Sequence, residues 1–353
     1  MITVIVSPAE DLENDEAIAE AAALVRAGRL VAFPTETVYG LGADATNAAA
    51  VELIFDAKGR PSDNPVIVHI ADIAMLDKVV DSHDPRVVAL GERFWPGPLT
   101  LVLKARPAVH ATSRGLDTVG VRMPDHPVAL ALIRAAGVPI AAPSANRSGK
   151  PSTTTAHHVW EDLNGRIPLI LDGGPCQIGI ESTVLDLSGP EPQILRPGAV
   201  SAAQIAEVLG TPLVEPSEDA LVKSPGTLHP HYRPTAPVIV IAPAVSDKAA
   251  VALIERIHRF IDEDDVIGYI TIGTRPEPGL ARAPFLEVVP AGHGLARDLY
   301  GLLRDLDSRK VAVILVDGPD PAEAVWDRLR RASWRVVASD AEVEDFSQGW
   351  SLP

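Results

Sequence analysis

Two stretches, AFPTETVYGLGADAT (residues 32–46) and KGRPSDNPVIVH (58–69), decide how this chain folds. The apolar run at 30–33 reads as a strand, 48–57 as a helix and 65–70 as a second strand. Between them stand polar segments too rich in function-bearing groups for plain turns. The first carries hydroxyls at Thr35, Thr37 and Tyr39, a carboxylate at Glu36, and glycines at Gly40 and Gly42. The second sets Lys58 and Arg60 two residues apart, then Ser62, Asn64 and, at a strand end, His69. Small hydroxyls beside closely spaced cations are what a site needs to hold an anionic group and a small polar ligand together. GLGADA formally fits the dinucleotide pattern G-x-G-x-x-A, but Pro34 to Thr37 separate the strand from the glycines. The glycines are instead expected to form a tight turn or let backbone approach a ligand.

Outward from this stretch the same alternation continues. Helices are expected at 15–27, 85–94, 127–136 and 201–209, and strands at 99–104, 118–123, 138–142, 168–171, 183–187 and 193–196. Some strand pairs have short connections, which favours a mixed sheet over a parallel one. Residues 211–237 contain Pro212, Pro216, Pro225, Pro230, Pro234 and Pro237 and read as a linker. Beyond it, strands at 238–241, 266–272 and 311–316 alternate with helices at 247–261 and 295–306, a smaller open α/β unit. The expected organisation is a domain over 1–210, a proline-rich linker over 211–237 and a small Rossmann-like α/β domain over 238–353.

Composition narrows the function. The 353 residues carry a formal net charge of −16, so the average field does not favour nucleic acid or anionic membrane. An apolar fraction of 46% supplies a core for each domain. One cysteine, Cys176, excludes a disulfide framework and a cysteine-built zinc site. The acidic beginning, MITVIVSPAEDLENDE, lacks the basic start and long apolar run of a secretory leader, and no apolar run approaches a membrane span. A cytoplasmic protein is expected.

Each further motif has a plain alternative. KGRPSDNP is either a solvated turn or an anion clamp, with Arg60 as a fork, Lys58 as a point charge and Asn64 reading a polar edge. A lone His69 is more often structural unless other site groups converge on it. In DTVGVRMPDH (117–126), alternation puts Arg122 and Thr118 on the face opposite Val119, Val121 and Met123. An arginine there needs a ligand anion or an internal carboxylate. APSANRSGKPS (142–152) sets Ser144, Asn146, Ser148 and Ser152 after a buried strand, either a ligand loop or a flexible one. GIESTVLDL adds Ser182 and Thr183, and ILRPGAVS adds Arg196. No P-loop, nucleophile elbow or His-Glu-x-x-His helix occurs.

Taken together, PTETVYGLG, K-x-R-P-x-x-N-P-x-x-x-H, WPGPLT, V-x-V-R-M-P-x-H-P, APSAN, GIEST and LRPG resemble the threonylcarbamoyl-AMP synthases of the YrdC/YciO superfamily, over about residues 30–200. SPGTLHPHYRP (224–234) is similar to the interdomain segment of the two-domain members. The resemblance implies a YrdC-like twisted mixed sheet with flanking helices. It also implies a reaction: L-threonine, bicarbonate or CO₂, and ATP give threonylcarbamoyl-AMP and pyrophosphate. The product would pass to proteins that modify tRNA. By motif match, Thr37, His69, Arg122, the backbone at Ala142, and Ser182 would line the threonine pocket. Arg60, Asn64, Thr118, Ser144, Ser152, Arg196 and Tyr232 would surround ATP, and Lys58 and Arg60 would supply catalytic charge. Mg²⁺ would arrive with ATP, and no residue set is assigned to a metal. Tyr232, in a semi-stiff linker, would act as a lid. One departure is DGPDPAEAVWDRLRR (317–331), where relatives have a glycine-rich turn. The competing expectation is a non-catalytic RNA-binding module, which the acidic charge and an aromatic content of 4% disfavour. No membrane association and no stable nucleic-acid binding are expected. A carbamoyl-phosphate-dependent relative would usually carry zinc-finger or acylphosphatase segments, which the sequence lacks.

Overall fold

Asp15, Asn47, Thr155 and Ser201 each turn a side-chain oxygen onto the backbone amide three residues ahead, and a helix follows each one. The computed structural model describes residues 1–81, 84–225, 231–271, 283–291, 294–318 and 323–345. The chain divides into two units, Met1–Ser148 with Ser152–His229, and Gly149–Pro151 with Pro230–Pro353.

In the first unit the strands are β1 (Val4–Val6), β2 (Val31–Phe33), β3 (Gly40–Asp44), β4 (Val68–His69), β5 (Leu99–Lys104), β6 (Thr118–Arg122), β7 (Ile140–Ala141), β8 (Leu169–Leu171), β9 (Thr183–Asp186) and β10 (Gln193–Arg196). The helices are α1 (Glu16–Arg26), α2 (Ala48–Lys58), α3 (Pro85–Phe94), α4 (His110–Ser113), α5 (Pro127–Ala136), α6 (Ala156–Leu163), α7 (Ala202–Leu209) and α8 (Glu218–Leu221). The strands form one sheet in the order β1-β8-β2-β3-β7-β4-β6-β5-β9-β10. Parallel pairs (β4 with β6, β5 with β9) alternate with antiparallel ones (β5 with β6, β4 with β7), the mixed sheet that the short connections predict.

Strand alternation sorts side chains between two apolar layers. Ala32, Leu41, Val68, Leu101, Val119, Val121 and Leu185 pack with residues of α2, α3 and α6. Val31, Phe33, Ile140, Leu169 and Leu171 face the other way, against α1 and α5. The residues between the first set on β4, β5 and β6 therefore turn to that second side: Ile67, His69, Thr100, Thr118, Gly120 and Arg122. Their face is the floor of the candidate site.

The GLGAD segment corrects an expectation. It forms β3, a strand between β2 and β7, rather than a turn. A Cβ at Gly42 would lie 2.8 Å from both the Phe33 ring and Ile140 Cγ2, so the glycine admits neighbouring side chains and not a ligand. At the end of α2, Gly59 takes a left-handed conformation (φ 64°) and its amide bonds Phe55 O. That sharp stop separates Lys58, on the helix, from Arg60, in the loop beyond.

In the second unit, β11 (Val238–Ile241), β12 (Ile267–Thr271), β13 (Leu286–Pro290), β14 (Val313–Asp317) and β15 (Arg335–Val337) form a sheet in the order β13-β12-β14-β11-β15. Among the described residues its strand pairings are all parallel, as expected of a Rossmann-like open sheet. Helices α9 (Asp247–His258), α10 (Leu295–Ser308), α11 (Glu323–Ala332) and α12 (Asp340–Asp345) connect and flank it. Residues 211–237 are shared between the units: α8 and the bridge of Val214 to Gln193 belong to the first, and Tyr232 to the second. Within the segment that suggests a lid, 226–230 lie outside the described residues, as do 319–322 of the departing turn.

Candidate active site

Arg122 ends β6 and stands beside His69, its register partner on β4. Its guanidinium is buried and has three protein partners. Nη1 donates to Thr37 Oγ1 at 2.8 Å, Nε donates to Gly97 O at 3.2 Å, and Nη2 lies 2.5 Å from Glu36 Oε1. The last contact is an ion pair without hydrogen-bond alignment: Arg122 Nη2 and both Glu36 oxygens are buried and make no hydrogen bond among the described residues. The partner an arginine requires here is thus an internal carboxylate, and that pair keeps unused bonding capacity.

The loop after β2 carries Thr35, Glu36 and Thr37 to this floor. Thr35 Oγ1 donates to Val38 O at 2.6 Å and accepts from the Val38 amide at 3.2 Å, closing a hydroxyl-stabilised turn. Thr35 and Thr37 hydroxyls lie 2.9 Å apart. The amides of Ile178 and Gly179 bond Glu36 O and Thr37 O at 2.8 and 3.1 Å, tying this loop to the segment that leads into Ser182.

Ser182 joins the same floor through Thr100, whose hydroxyl is 2.7 Å away. Leu101 pairs with Val121, which sets Thr100 next to Arg122 across the strands. Arg196 donates from Nη2 to Ser182 O at 3.0 Å and Ser182 Oγ at 3.3 Å. Gly198 lies against this corner, where a Cβ would come within 2.2 Å of the Thr183 amide nitrogen. Glu181 accepts a hydrogen bond from Ser152 at 2.6 Å, both buried. Ala142, after β7, donates its amide to Ile67 O at 2.8 Å. Thr118, Gly120 and Arg122 share one face of β6, and a Cβ at Gly120 would lie 3.2 Å from Thr100 Cγ2 and 3.4 Å from Ile67 Cγ1.

Lys58 is buried, and its ammonium donates to Ser144 O at 2.5 Å and to Asn146 O. Ser144 Oγ bonds Asn146 Oδ1 at 2.5 Å, and Ser144 bridges Gly40. Arg60 turns its guanidinium onto its own loop, at 3.3 Å from Asn64 O and 2.9 Å from Pro65 O. Tyr232 belongs to the second unit, where its ring stacks on Tyr300 at 5.3 Å.

The structure therefore brings Thr37, His69, Arg122, Ser182 and Arg196 into one chain of contacts, with Thr118 on the same face and Ser152 linked through Glu181. Lys58 and Ser144 form a second group beside it. Arg60 and Asn64 hold a loop of their own. Sequence reasoning missed Glu36, Thr100 and Glu181 as site residues. Glu36 and Thr100 stand inside the quoted motifs PTET and WPGPLT. What reveals them is the partner each one meets.

His69 is buried, edge-on to Phe33, and its Nδ1 has no hydrogen-bond partner among the described residues. Burial, reinforced by the Arg122 charge, lowers its pKa from 6.5 to about 3. The folded protein holds a neutral imidazole where the unfolded chain takes up a proton. The stability from this group is full above pH 6.5 and is lost as pH falls toward about 3. The slope is at most about 1.4 kcal/mol per pH unit. We predict that the difference in unfolding free energy between the wild type and His69→Gln changes with that slope in this window. A difference constant with pH would contradict it.

The Sua5/YciO/YrdC family model, described as telomere recombination, matches residues 23–198. A model described as the C-terminal domain of threonylcarbamoyl-AMP synthase matches 200–333. The chain is 45% identical to a threonylcarbamoyl-AMP synthase of Bacillus subtilis, over 91% of this chain and 94% of the relative. It is 44% identical to one of Pyrococcus abyssi, over 95% and 99%. The crystal structure of P. abyssi Sua5 complexed with L-threonine superposes with a TM-score of 0.84 at 43% identity, covering 96% of this chain and 99% of that one. The fold and these relatives define an α/β enzyme that makes an adenylate. The chain belongs to the threonylcarbamoyl-AMP synthase family. Among the described residues no helix is long and apolar enough to cross a membrane.

Proposed function

We propose that this chain makes threonylcarbamoyl-AMP from L-threonine, bicarbonate or CO₂, and ATP, releasing pyrophosphate, in the cytoplasm, and that the product serves tRNA modification. The observation that carries this reading is the buried Arg122, bonded to Thr37 beside His69 and Ser182. A guanidinium on a small-hydroxyl floor suits a bidentate hold on an amino-acid carboxylate. Thr37, His69, Arg122, the Ala142 backbone and Ser182 are the proposed threonine pocket.

Chemically, the threonine nitrogen attacks the one-carbon electrophile and gives a carbamate. A carbamate oxygen then attacks the α-phosphorus of ATP, and the bond to the bridging oxygen breaks to expel pyrophosphate. Neither step needs a covalent enzyme intermediate. Positioning and cationic stabilisation suffice. Lys58, Arg60 and Arg196 are the proposed cations, with Asn64, Thr118, Ser144, Ser152 and Tyr232 completing the nucleotide set by motif. Among the described residues no group of three or more His, Cys, Asp or Glu could hold a metal ion. Mg²⁺ is proposed as part of the substrate, held mainly by the nucleotide's phosphates.

Pyrophosphate release tests the reaction. It should require threonine and bicarbonate together. Serine, which lacks one methyl, should fall in kcat/KM by about 10–200-fold, and valine, which leaves a hydroxyl partner unpaired, by about 10⁴-fold or more. Valine turnover within tenfold of threonine would remove the proposed pocket.

A further inference from the structure

Glu36 stands in the proposed threonine pocket without an assigned task. It is 6% exposed, and among the described residues neither carboxylate oxygen makes a hydrogen bond. An ionised carboxylate accepts at about four lone-pair positions, and burying it without donors is costly. Its contact is Arg122 Nη2, at 2.5 Å and out of hydrogen-bond alignment. Three groups face Glu36 or its pair electrostatically besides that guanidinium. The Cys176 thiol is pushed up to about 12 by burial, and burial also lowers His126. His69, facing Arg122, stays neutral. Glu36 thus meets one cation and is short of donors among the described residues.

An amino-acid zwitterion carries the complementary pair. Its carboxylate suits Arg122, and its ammonium offers three donors to a carboxylate that lacks them. We propose that Glu36 receives the ammonium of the substrate, so that the Arg122–Glu36 pair opens and the zwitterion is inserted between its members. This rests on the reaction proposed above and adds a role to it. The ammonium must lose a proton before nitrogen can attack. One N–H bond breaks, its electron pair stays on nitrogen, and the proton passes to a Glu36 oxygen. That electron pair forms the N–C bond with CO₂, whose π electrons move to oxygen. A second proton leaves nitrogen for solvent, giving the carbamate, and Glu36 returns its proton to solvent before the next turnover. Glu36 is then a catalytic residue as well as a binding one.

The test compares L-threonine with 2,3-dihydroxybutanoate, in which a hydroxyl replaces the ammonium, by calorimetry on the full chain. The wild type should prefer threonine by about 10²-fold, and Glu36→Gln should reduce that preference to about threefold or less. ATP affinity, measured alongside, reports whether the variant is folded. Glu36→Asp should restore part of the preference. In Glu36→Gln the rising limb of the kcat/KM-against-pH profile should move toward the pKa of the free amine, a shift that a purely structural defect does not give. A folded Glu36→Gln with the wild-type preference and pH profile would overturn the proposal while leaving the reaction intact. If neither variant folds, the wild-type preference decides: a ratio near one overturns it. A wild type that binds threonine but forms no adenylate would fail the reaction and not this assignment.

Discussion

Arg122→Ala should lower threonine-dependent kcat/KM by about 10²–10³-fold, which is the loss of about 3–4 kcal/mol of charge-assisted bonding. The guanidinium makes three buried contacts, to Thr37, Gly97 and Glu36, so no water-filled substitute restores its geometry. The variant should also lose stability, by about 3–5 kcal/mol, because Glu36 is left as a buried charge without its cation. These two effects separate in the double variant with Glu36→Gln. Neutralising the orphaned carboxylate should recover most of the stability, read from urea midpoints, and none of the activity. Recovery of activity together with stability would mean that Arg122 holds the fold and does not touch the substrate.

Lys58→Met should have the second large effect, on a different ligand. The buried ammonium binds Ser144 O and Asn146 O, and Lys58 O accepts from the Ser148 amide at 3.0 Å. Methionine fills similar space and leaves both carbonyls without that donor, at about 1–3 kcal/mol each. Ser144 is proposed to contact ATP, so the 144–148 loop should lose its set position and ATP affinity should fall by at least about tenfold. Threonine affinity should change by less than about threefold, because the Arg122 group lies on other strands. Unchanged ATP affinity in a folded Lys58→Met would contradict the proposed nucleotide loop.

Much of this was legible from the residues alone. Arg122 and Thr118 share the face opposite Val119 and Val121 because a strand alternates with period two, and Val119 and Val121 do lie in the core layer. Lys58 and Arg60 are separated by Gly59, and the left-handed turn there is what a glycine after a helix announces. The strand over Gly40–Asp44 was not legible. Two glycines erase the alternation that marks a strand, and its place depends on Phe33 and Ile140 filling the space they leave. The role of Glu36 was hidden for another reason. An acidic residue between two threonines looks solvated until Arg122, 86 positions away, is found beside it. Thr100 likewise becomes a site residue only when β9 brings Ser182 to it. In the second unit, β15 and α11 escaped notice because Arg335 and the charged run at 327–331 obscure their apolar faces.

In the proposed reaction one buried floor joins a threonine to a carbon unit and then to a nucleotide. Mass spectrometry of the products from ATP, L-threonine and ¹³C-labelled bicarbonate addresses it directly. A single adenylate that contains threonine, AMP and the labelled carbon, formed with one pyrophosphate, is expected. An adenylate of threonine without the label, or no adenylate at all, would contradict it.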